Sequence, residues 1–427
     1  MPECVSKNDL PDQLIKEGNM TIKPEHVNIW IGLDVGKEEH FADALDTNGD
    51  RLFDRSVRND QGELEQLLDK ALLLGSPALV IDQPGSIAQL AIALAVAKGV
   101  PVAYIPGLVM RRAADLYPGE AKTDRRDAFV IANTARIHAR QIHWLDTTND
   151  AALDELRVLN GYDIDLAADT NRVTNRLRDA LVAVSPALER VLGHRLHQSG
   201  PRHLLAKLPT PTSLRATTPT RVTKLLVASM PRAGAGIASD VYKALESQTI
   251  VLPSERVLGQ VISELAVELE RLYLRREQLA EQIEEVFRSH PFGEVLLSMP
   301  GIGPRTGARI LAEIGHPERF TTGDKLAAYA GLAPVTRQSG KSINGESRSK
   351  RGNHRLKNAM FLAAFASLRS PDSKEFYDRK RASGKRHNAA VICLARRRCD
   401  VILAMLRTNQ HYLPGGPTQH EEAQKAA

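Results

Sequence analysis

Four aspartates have the spacing and surroundings of acids that act together. Asp34 closes the apolar run VNIWIGLD, Asp82 closes ALVID, and Asp124 and Asp127 stand three apart in KTDRRDAF. Helical positions three apart share a face, so the last two carboxylates point together while Arg125 and Arg126 turn elsewhere. Gathered at one sheet end, four acids repel one another, and divalent cations relieve that repulsion; hard Mg²⁺ prefers such oxygen ligands. A pair of such ions polarises a phosphodiester and stabilises its attacking and leaving oxygens. The chemistry is then metal-assisted phosphoryl transfer, with Asp34, Asp82, Asp124 and Asp127 as both metal ligands and catalytic groups. Taken singly, each acid has a plainer role: Asp34 and Asp82 as strand-end turn residues, Asp124 as a helix cap.

A serine and two kinds of basic or glycine-rich segment complete the set. Ser339 sits in RQSGKS with no acid within several residues. An unactivated hydroxyl is a weak nucleophile, so spacing alone reads it as a solvated, flexible side chain. PGIGPRTGARI fits a helix-hairpin-helix turn, in which Gly301 and Gly303 let backbone N–H groups approach a phosphate and Arg305 adds charge; a plain connection between packed helices is the alternative. Arg337, Lys341, Arg348, Lys350, Arg351 and Arg355 begin a cationic stretch that continues through Lys357, Arg379 to Arg381, Lys385, Arg386 and Arg396 to Arg398. Each phosphate such residues neutralise releases counterions. The aromatics among them, Phe361, Phe365, Phe376 and Tyr377, have helical spacing and read as core residues.

These residues need elements to position them. The chain has 427 residues, 42% hydrophobic and 25% charged, which suits two to four folded domains and excludes a small disulfide scaffold or general disorder. Net charge is only +6, but residues 337–400 hold 17 Lys and Arg against 5 Asp and Glu, a local +12 that leaves −6 for the remainder. Cys4, Cys393 and Cys399 make no C-x-x-C pair, and the N-terminus lacks the apolar core of a signal peptide. A reducing, cytoplasmic setting is expected, with no membrane, since the longest apolar stretch, Leu90 to Ala97, is too short to span one. The order of strand and helix signals from Val27 to the helix at Lys122 is βββαβαβα, predicting a mixed sheet with helices on its faces. A long helix follows from Leu156, with Asp163 and Thr170 as polar interruptions. A second runs from Leu258 to Val286, where Arg276 fills the one missing position of an apolar stripe. Such a stripe favours a coiled coil, within the chain or between chains. Between the two, roughly His194 to Ala238, lies an insertion with some small helices. Phe320 to Arg398 reads as mostly helical apart from a polar loop, SGKSINGESRSKRGN.

Taken together, IGLDVGK, ALVIDQPGS, GEAKTDRRDAFVIA, SMPGIGPRTGARILAEIG and AYAGLAPVTRQSGKSINGESRSKRGNHRLKNAMFLAA resemble the insertion-sequence transposases of the DEDD class with a C-terminal serine domain, the bridge-RNA-guided recombinases. The resemblance covers about residues 27 to 405, with the motifs in order. It implies an RNase H-like (RuvC-like) domain (26–147), a coiled-coil region with an insertion (148–290) and a mainly helical transposase domain with the helix-hairpin-helix motif (291–410); outside it, polar composition reads residues 1–25 as a flexible arm and 411–427 as a disordered tail. Asp34, Asp124 and Asp127 match the family's first, third and fourth acids. Asp82, in IDQPG, stands where the family usually has Glu and is one methylene shorter. Ser339 matches the serine nucleophile. The resemblance further implies donor and target DNA and a noncoding bridge RNA as partners, Mg²⁺ as cofactor, and a homo-oligomer of two to four subunits. A water-using junction endonuclease and a non-catalytic nucleic-acid scaffold are the alternatives.

Overall fold

The computed structural model describes residues 26–83, 85–117, 123–139, 142–145, 150–339, 343–349 and 351–414. The expected N-terminal arm, and the tail beyond 414, lie outside them. The chain divides into two compact units, residues 1–149 and 150–427. Among the described residues no helix is long and apolar enough to cross a membrane.

The first unit is built on a six-stranded mixed sheet. Its strands are β1 (Ile29–Asp34), β2 (Glu39–Asp46), β3 (Arg51–Arg58), β4 (Pro77–Ile81), β5 (Val102–Tyr104) and β6 (His143–Trp144), in the spatial order β3-β2-β1-β4-β5-β6. β1, β2 and β3 pair antiparallel as a meander, whereas β1, β4 and β5 run parallel. Parallel neighbours need crossovers, which α1 (Gln61–Leu74) and α2 (Gln89–Ala97) supply. α3 (Gly107–Ala114) and α4 (Asp124–Ile137) complete the unit. α3 and β6 were not foreseen; β6 is two residues long, too short for periodicity to register.

Strand alternation divides the unit into two cores. Ile29, Ile31 and Leu33 of β1, with Leu79 and Ile81 of β4, face Leu64, Leu67 and Leu68 of α1 and Ala91 of α2. Trp30, Ala78 and Val80 face the other way, against Val130, Ile131 and Ala135 of α4. That second face therefore also receives Gly32, Asp34 and Asp82. Gly32 has no room for a side chain: a Cβ there would lie 2.1 Å from the Ala128 carbonyl oxygen and 2.5 Å from the Ala132 nitrogen. Glycine on the strand and alanines on the helix let α4 lie directly on β1.

The second unit is mostly helical. α5 (Ala151–Val184) is followed by five short helices, α6 (Pro186–Leu192), α7 (Ser199–Lys207), α8 (Pro211–Arg215), α9 (Pro219–Ser229) and α10 (Gly234–Glu246), of which α7, α8 and α9 lie within the expected insertion, α6 precedes it and α10 runs past its end. Then come α11 (Glu255–Ser289), α12 (Gly293–Leu297), α13 (Pro304–Ile314) and α14 (Gly323–Tyr329). A two-stranded antiparallel hairpin, β7 (Pro334–Ser339) and β8 (Ile343–Arg348), precedes α15 (His354–Ala366), α16 (Pro371–Ala382) and α17 (His387–Thr408). The hairpin corrects the reading of this segment as part helix, part loop: a ladder from Pro334↔Arg348 to Ser339↔Ile343 satisfies the backbone groups of a polar sequence that lacks a helical stripe.

α5 and α11 pack antiparallel within the chain. At one end His290, just past α11, bonds Asp150, the N-cap of α5, at 3.0 Å; at the other Gln248 donates to the Val184 carbonyl at 2.9 Å. Ile262, Leu265, Leu269, Leu272, Leu279 and Ile283 are buried along α11. The two polar interruptions meet: Arg276 Nε donates to Asp163 Oδ1 at 3.1 Å, and Arg309 of α13 takes the other oxygen. Thr170 satisfies itself by donating to the Leu166 carbonyl at 2.7 Å.

Candidate functional site

The acids collect at the carboxyl end of the parallel strands. Leu33 of β1 is in register with Ile81 of β4, so Asp34 and Asp82, the next residues, leave adjacent strands side by side on the face covered by α4. The direction of α4 brings the other two acids to the same end. Its last turn lies near the β2–β3 turn, where Arg136 Nη1 donates to the Thr47 carbonyl at 3.0 Å, and that turn is at the amino end of β1. Its first turn, carrying Asp124 and Asp127, therefore lies toward the carboxyl end. Thr123 caps the helix by accepting from the Arg126 N–H at 3.3 Å, and acids in a first turn are favoured by the helix dipole.

Asp124 is exposed, while Asp34, Asp82 and Asp127 are half-buried. The two intervening arginines turn away: Arg125 forms an ion pair with Asp54 on β3, and Arg126 donates to the Tyr117 carbonyl at 2.9 Å. Burial pushes the Asp82 carboxyl above its usual range, and the charge of Asp127 adds to the rise, against hydrogen bonds from Gln83. Asp82 Oδ1 is buried without a hydrogen-bond partner. A buried carboxylate oxygen left unpartnered beside a second acid suits a cation that takes oxygen ligands. The residues present thus fit a divalent metal, although among the described residues no three of His, Cys, Asp and Glu already stand as a metal-binding group.

Sequence reasoning missed the residue that braces this end. Asn59, just ahead of α1, donates through its Nδ2 to the Lys37 carbonyl at 3.2 Å and to the Ile87 carbonyl at 3.5 Å. It so ties the turn after Asp34 to the segment after Asp82. His40 Nδ1 accepts from the Gly36 N–H at 3.1 Å and steadies the same turn. A lone Asn before a helix reads only as a cap, so nothing in the sequence signalled this bridge.

In the second unit the predicted residues separate. Ser339 is the last residue of β7, at the hairpin end away from its anchor. The anchor is firm: Gly331 has φ +67° and a Cβ there would lie 2.1 Å from the Arg351 carbonyl oxygen, while the Asn353 N–H donates to the Tyr329 carbonyl at 2.7 Å. Arg337 and Arg348 lie on the two hairpin strands; Lys341 and Lys350 fall outside the described residues. Arg351 and Arg355 are exposed.

The two glycines of the P-G-I-G turn do different things. Gly301 has φ +83°, and a Cβ would lie 2.4 Å from the Ala363 carbonyl oxygen, so its small size serves packing against α15. Gly303, the N-cap of α13, has open space where a Cβ would be. Arg305 is turned inward, 3.7 Å from Asp163. Arg398 is corrected outright as a phosphate ligand: it is buried, donates to the Pro300 carbonyl at 2.7 Å, and burial lowers its pKa to about 10. It fastens the turn. Arg396 is paired with Asp324.

Known proteins match both units. A DEDD-type IS110 model, described as Transposase, matches residues 31–186, so the class is that of the transposases. A second model, described as Transposase IS116/IS110/IS902 family, matches residues 293–378. The chain is 43% identical over 397 residues to the insertion element IS110 uncharacterized 43.6 kDa protein of Streptomyces coelicolor, covering 92% of this chain and 98% of that one. It is 37% identical over 393 residues to the insertion element IS116 uncharacterized 44.8 kDa protein of Streptomyces clavuligerus, covering 92% and 98%. The chain belongs to the IS116/IS110/IS902 family of transposases. Among solved structures, T. thermophilus RuvC in complex with Holliday junction substrate is similar at 16% identity and a TM-score of 0.23, covering 28% of this chain and 99% of that one; so slight a likeness bears no weight.

Proposed function

We propose that this transposase exchanges DNA strands through a covalent serine intermediate, with Asp34, Asp82, Asp124 and Asp127 holding Mg²⁺. The observation that carries the reading is the pair of strand-end acids, Asp34 and Asp82, with one Asp82 oxygen buried and unpartnered under the influence of Asp127. The strand order, three antiparallel then two parallel with α4 across one face, supports an RNase H-like, RuvC-like domain. Bound Mg²⁺ would supply Lewis-acid polarisation of the phosphodiester and lower the pKa of an attacking hydroxyl.

Ser339 Oγ attacks the phosphorus and gives up its proton; the P–O bond to the leaving strand breaks, and that oxygen departs as a hydroxyl. The phosphoserine ester keeps the bond energy. A hydroxyl of the partner strand then attacks the same phosphorus, restores the DNA phosphodiester and returns Ser339 to its free form, so no high-energy cofactor is consumed. This requires Ser339 of the hairpin to reach the acids, in the same or another subunit of a dimer or tetramer assembled through the long helices. The basic second unit would hold backbones through Gly303, Arg351 and Arg355, while sequence choice belongs to a noncoding bridge RNA paired with donor and target.

The test is a denaturing gel of the protein with labelled junction DNA and Mg²⁺. A protein–DNA adduct that disappears in Ser339→Ala is expected. Free nicked ends, unaffected by that change, would instead make the acids activators of water.

A further inference from the structure

The interleaved aromatics of the basic region read as core residues, and Phe361, Phe376 and Tyr377 do lie partly buried against the helical core. Phe365 does not. It is 51% exposed near the end of α15, with Leu362 one turn earlier also open. Its ring meets His387 edge to face with centroids 5.9 Å apart. His387 in turn meets Tyr377 at 5.7 Å, and a 2.7 Å hydrogen bond joins its Nδ1 to the Tyr377 hydroxyl. Three helices thus bring three rings together, Phe365 and His387 exposed and Tyr377 half-buried, its hydroxyl fixing His387 in place.

Beside the rings runs RKRASGKR, residues 379–386, with five cations and no acid. Every residue from 381 to 389 is exposed. The turn is built rather than loose: Gly384 takes φ +86°, and Arg381 donates to the Lys385 carbonyl at 3.0 Å. The preceding acid on α16, Asp378, is taken by Lys374 at 2.6 Å.

A single exposed phenylalanine needs no explanation. Clustered rings beside an acid-free run of cations are a different matter: ring faces take nucleobases, and cations take the phosphates that connect them. A duplex keeps its base faces inside its own stack, so this combination suits an unpaired strand. We propose that Phe365, Tyr377 and His387 form a stacking platform for unpaired nucleotides, whose phosphates are held by the 379–386 segment. The platform rests on the proposed transposase reading only for where such a strand arises; its binding is measurable without any chemistry.

Anisotropy of the full chain with labelled oligo(dT), oligo(U) and a duplex of equal length tests it. Phe365→Ala is expected to weaken the preferred single strand about tenfold, with duplex binding little changed and Phe365→Trp restoring the affinity. Because Phe365 is exposed, the truncation leaves the core intact. The tighter of the two single strands assigns the source, RNA or displaced DNA. Unchanged affinity for both, an equal loss for the duplex, or a Phe365→Ala effect confined to the sedimentation mass would overturn the proposal. The serine adduct remains the separate criterion for strand exchange.

Discussion

Two aspartates, one in each unit, show what a protein does with a carboxylate it uses for itself and one it leaves wanting. Asp163, in the seam of the second unit, is fully buried and surrounded by Arg276, Arg309 and Arg305. Burial alone would raise its carboxyl, but the hydrogen bond and charge of Arg276, with the charges of the other two, hold it below the usual carboxylate range. Asp82, at the sheet end of the first unit, has the opposite setting: burial and a neighbouring acid raise it, and one oxygen has no partner. A structural acid is satisfied by its own chain. An acid that can receive a ligand is one whose chain withholds that satisfaction and bears the destabilisation.

The comparison breaks first on activity. Asp82→Asn keeps the shape and removes the charge; if the acids hold a metal that stabilises the transition state by several kcal/mol, strand exchange should fall on the order of 10³-fold, while Asp163→Asn acts only through stability. Single-turnover strand exchange on both purified variants measures this, and an active Asp82→Asn protein would remove Asp82 from the site.

Stability should show the reverse. Replacing Asp163 by Leu strands three arginines around a missing partner and should cost about 3–5 kcal/mol, read as a lower urea midpoint at unchanged slope. Asp82→Asn should be neutral or stabilising at pH 7. The pH dependence carries the same contrast in sign. Asp163, with its pKa depressed in the folded state, stabilises the fold above the unfolded value of about 3.9, and that contribution is lost as pH falls through the folded value. Asp82, with its pKa raised, penalises the fold above its folded value, and the penalty is relieved as pH falls through it. Acid titrations of the urea midpoint should therefore lose a destabilising slope in Asp163→Asn and a stabilising one in Asp82→Asn.

The smallest effect concerns the two glycines read alike in the P-G-I-G turn. Gly301→Ala forces a side chain into positive φ and against α15, costing about 1–3 kcal/mol in thermal unfolding. Gly303→Ala meets open space and should leave stability unchanged.

Much of this was written in order along the chain. The apolar runs IWIGLD and PALVI marked two strands with an acid at each end, but with both faces of these strands buried, the face that Asp34 and Asp82 share came from the parallel register of β1 and β4. The i, i+3 spacing of Asp124 and Asp127 needed only a helix, which Thr123 begins. The seam of α11 was legible too, down to its missing member. Other features were not. That Arg276 faces Asp163 depends on antiparallel pairing of helices 113 positions apart, and local periodicity carries no register between distant segments. Arg398 looks in the sequence like its neighbours Arg396 and Arg397, and only the packing of α17 decided that one guanidinium of the run would serve the Pro300 carbonyl. Phe365 and Phe361 share a helix and a spacing, yet one is covered and the other open. The sequence by itself determined which residues could share a face; the tertiary structure alone decided what lies opposite that face, because partner, solvent and charge are supplied by segments remote in the chain.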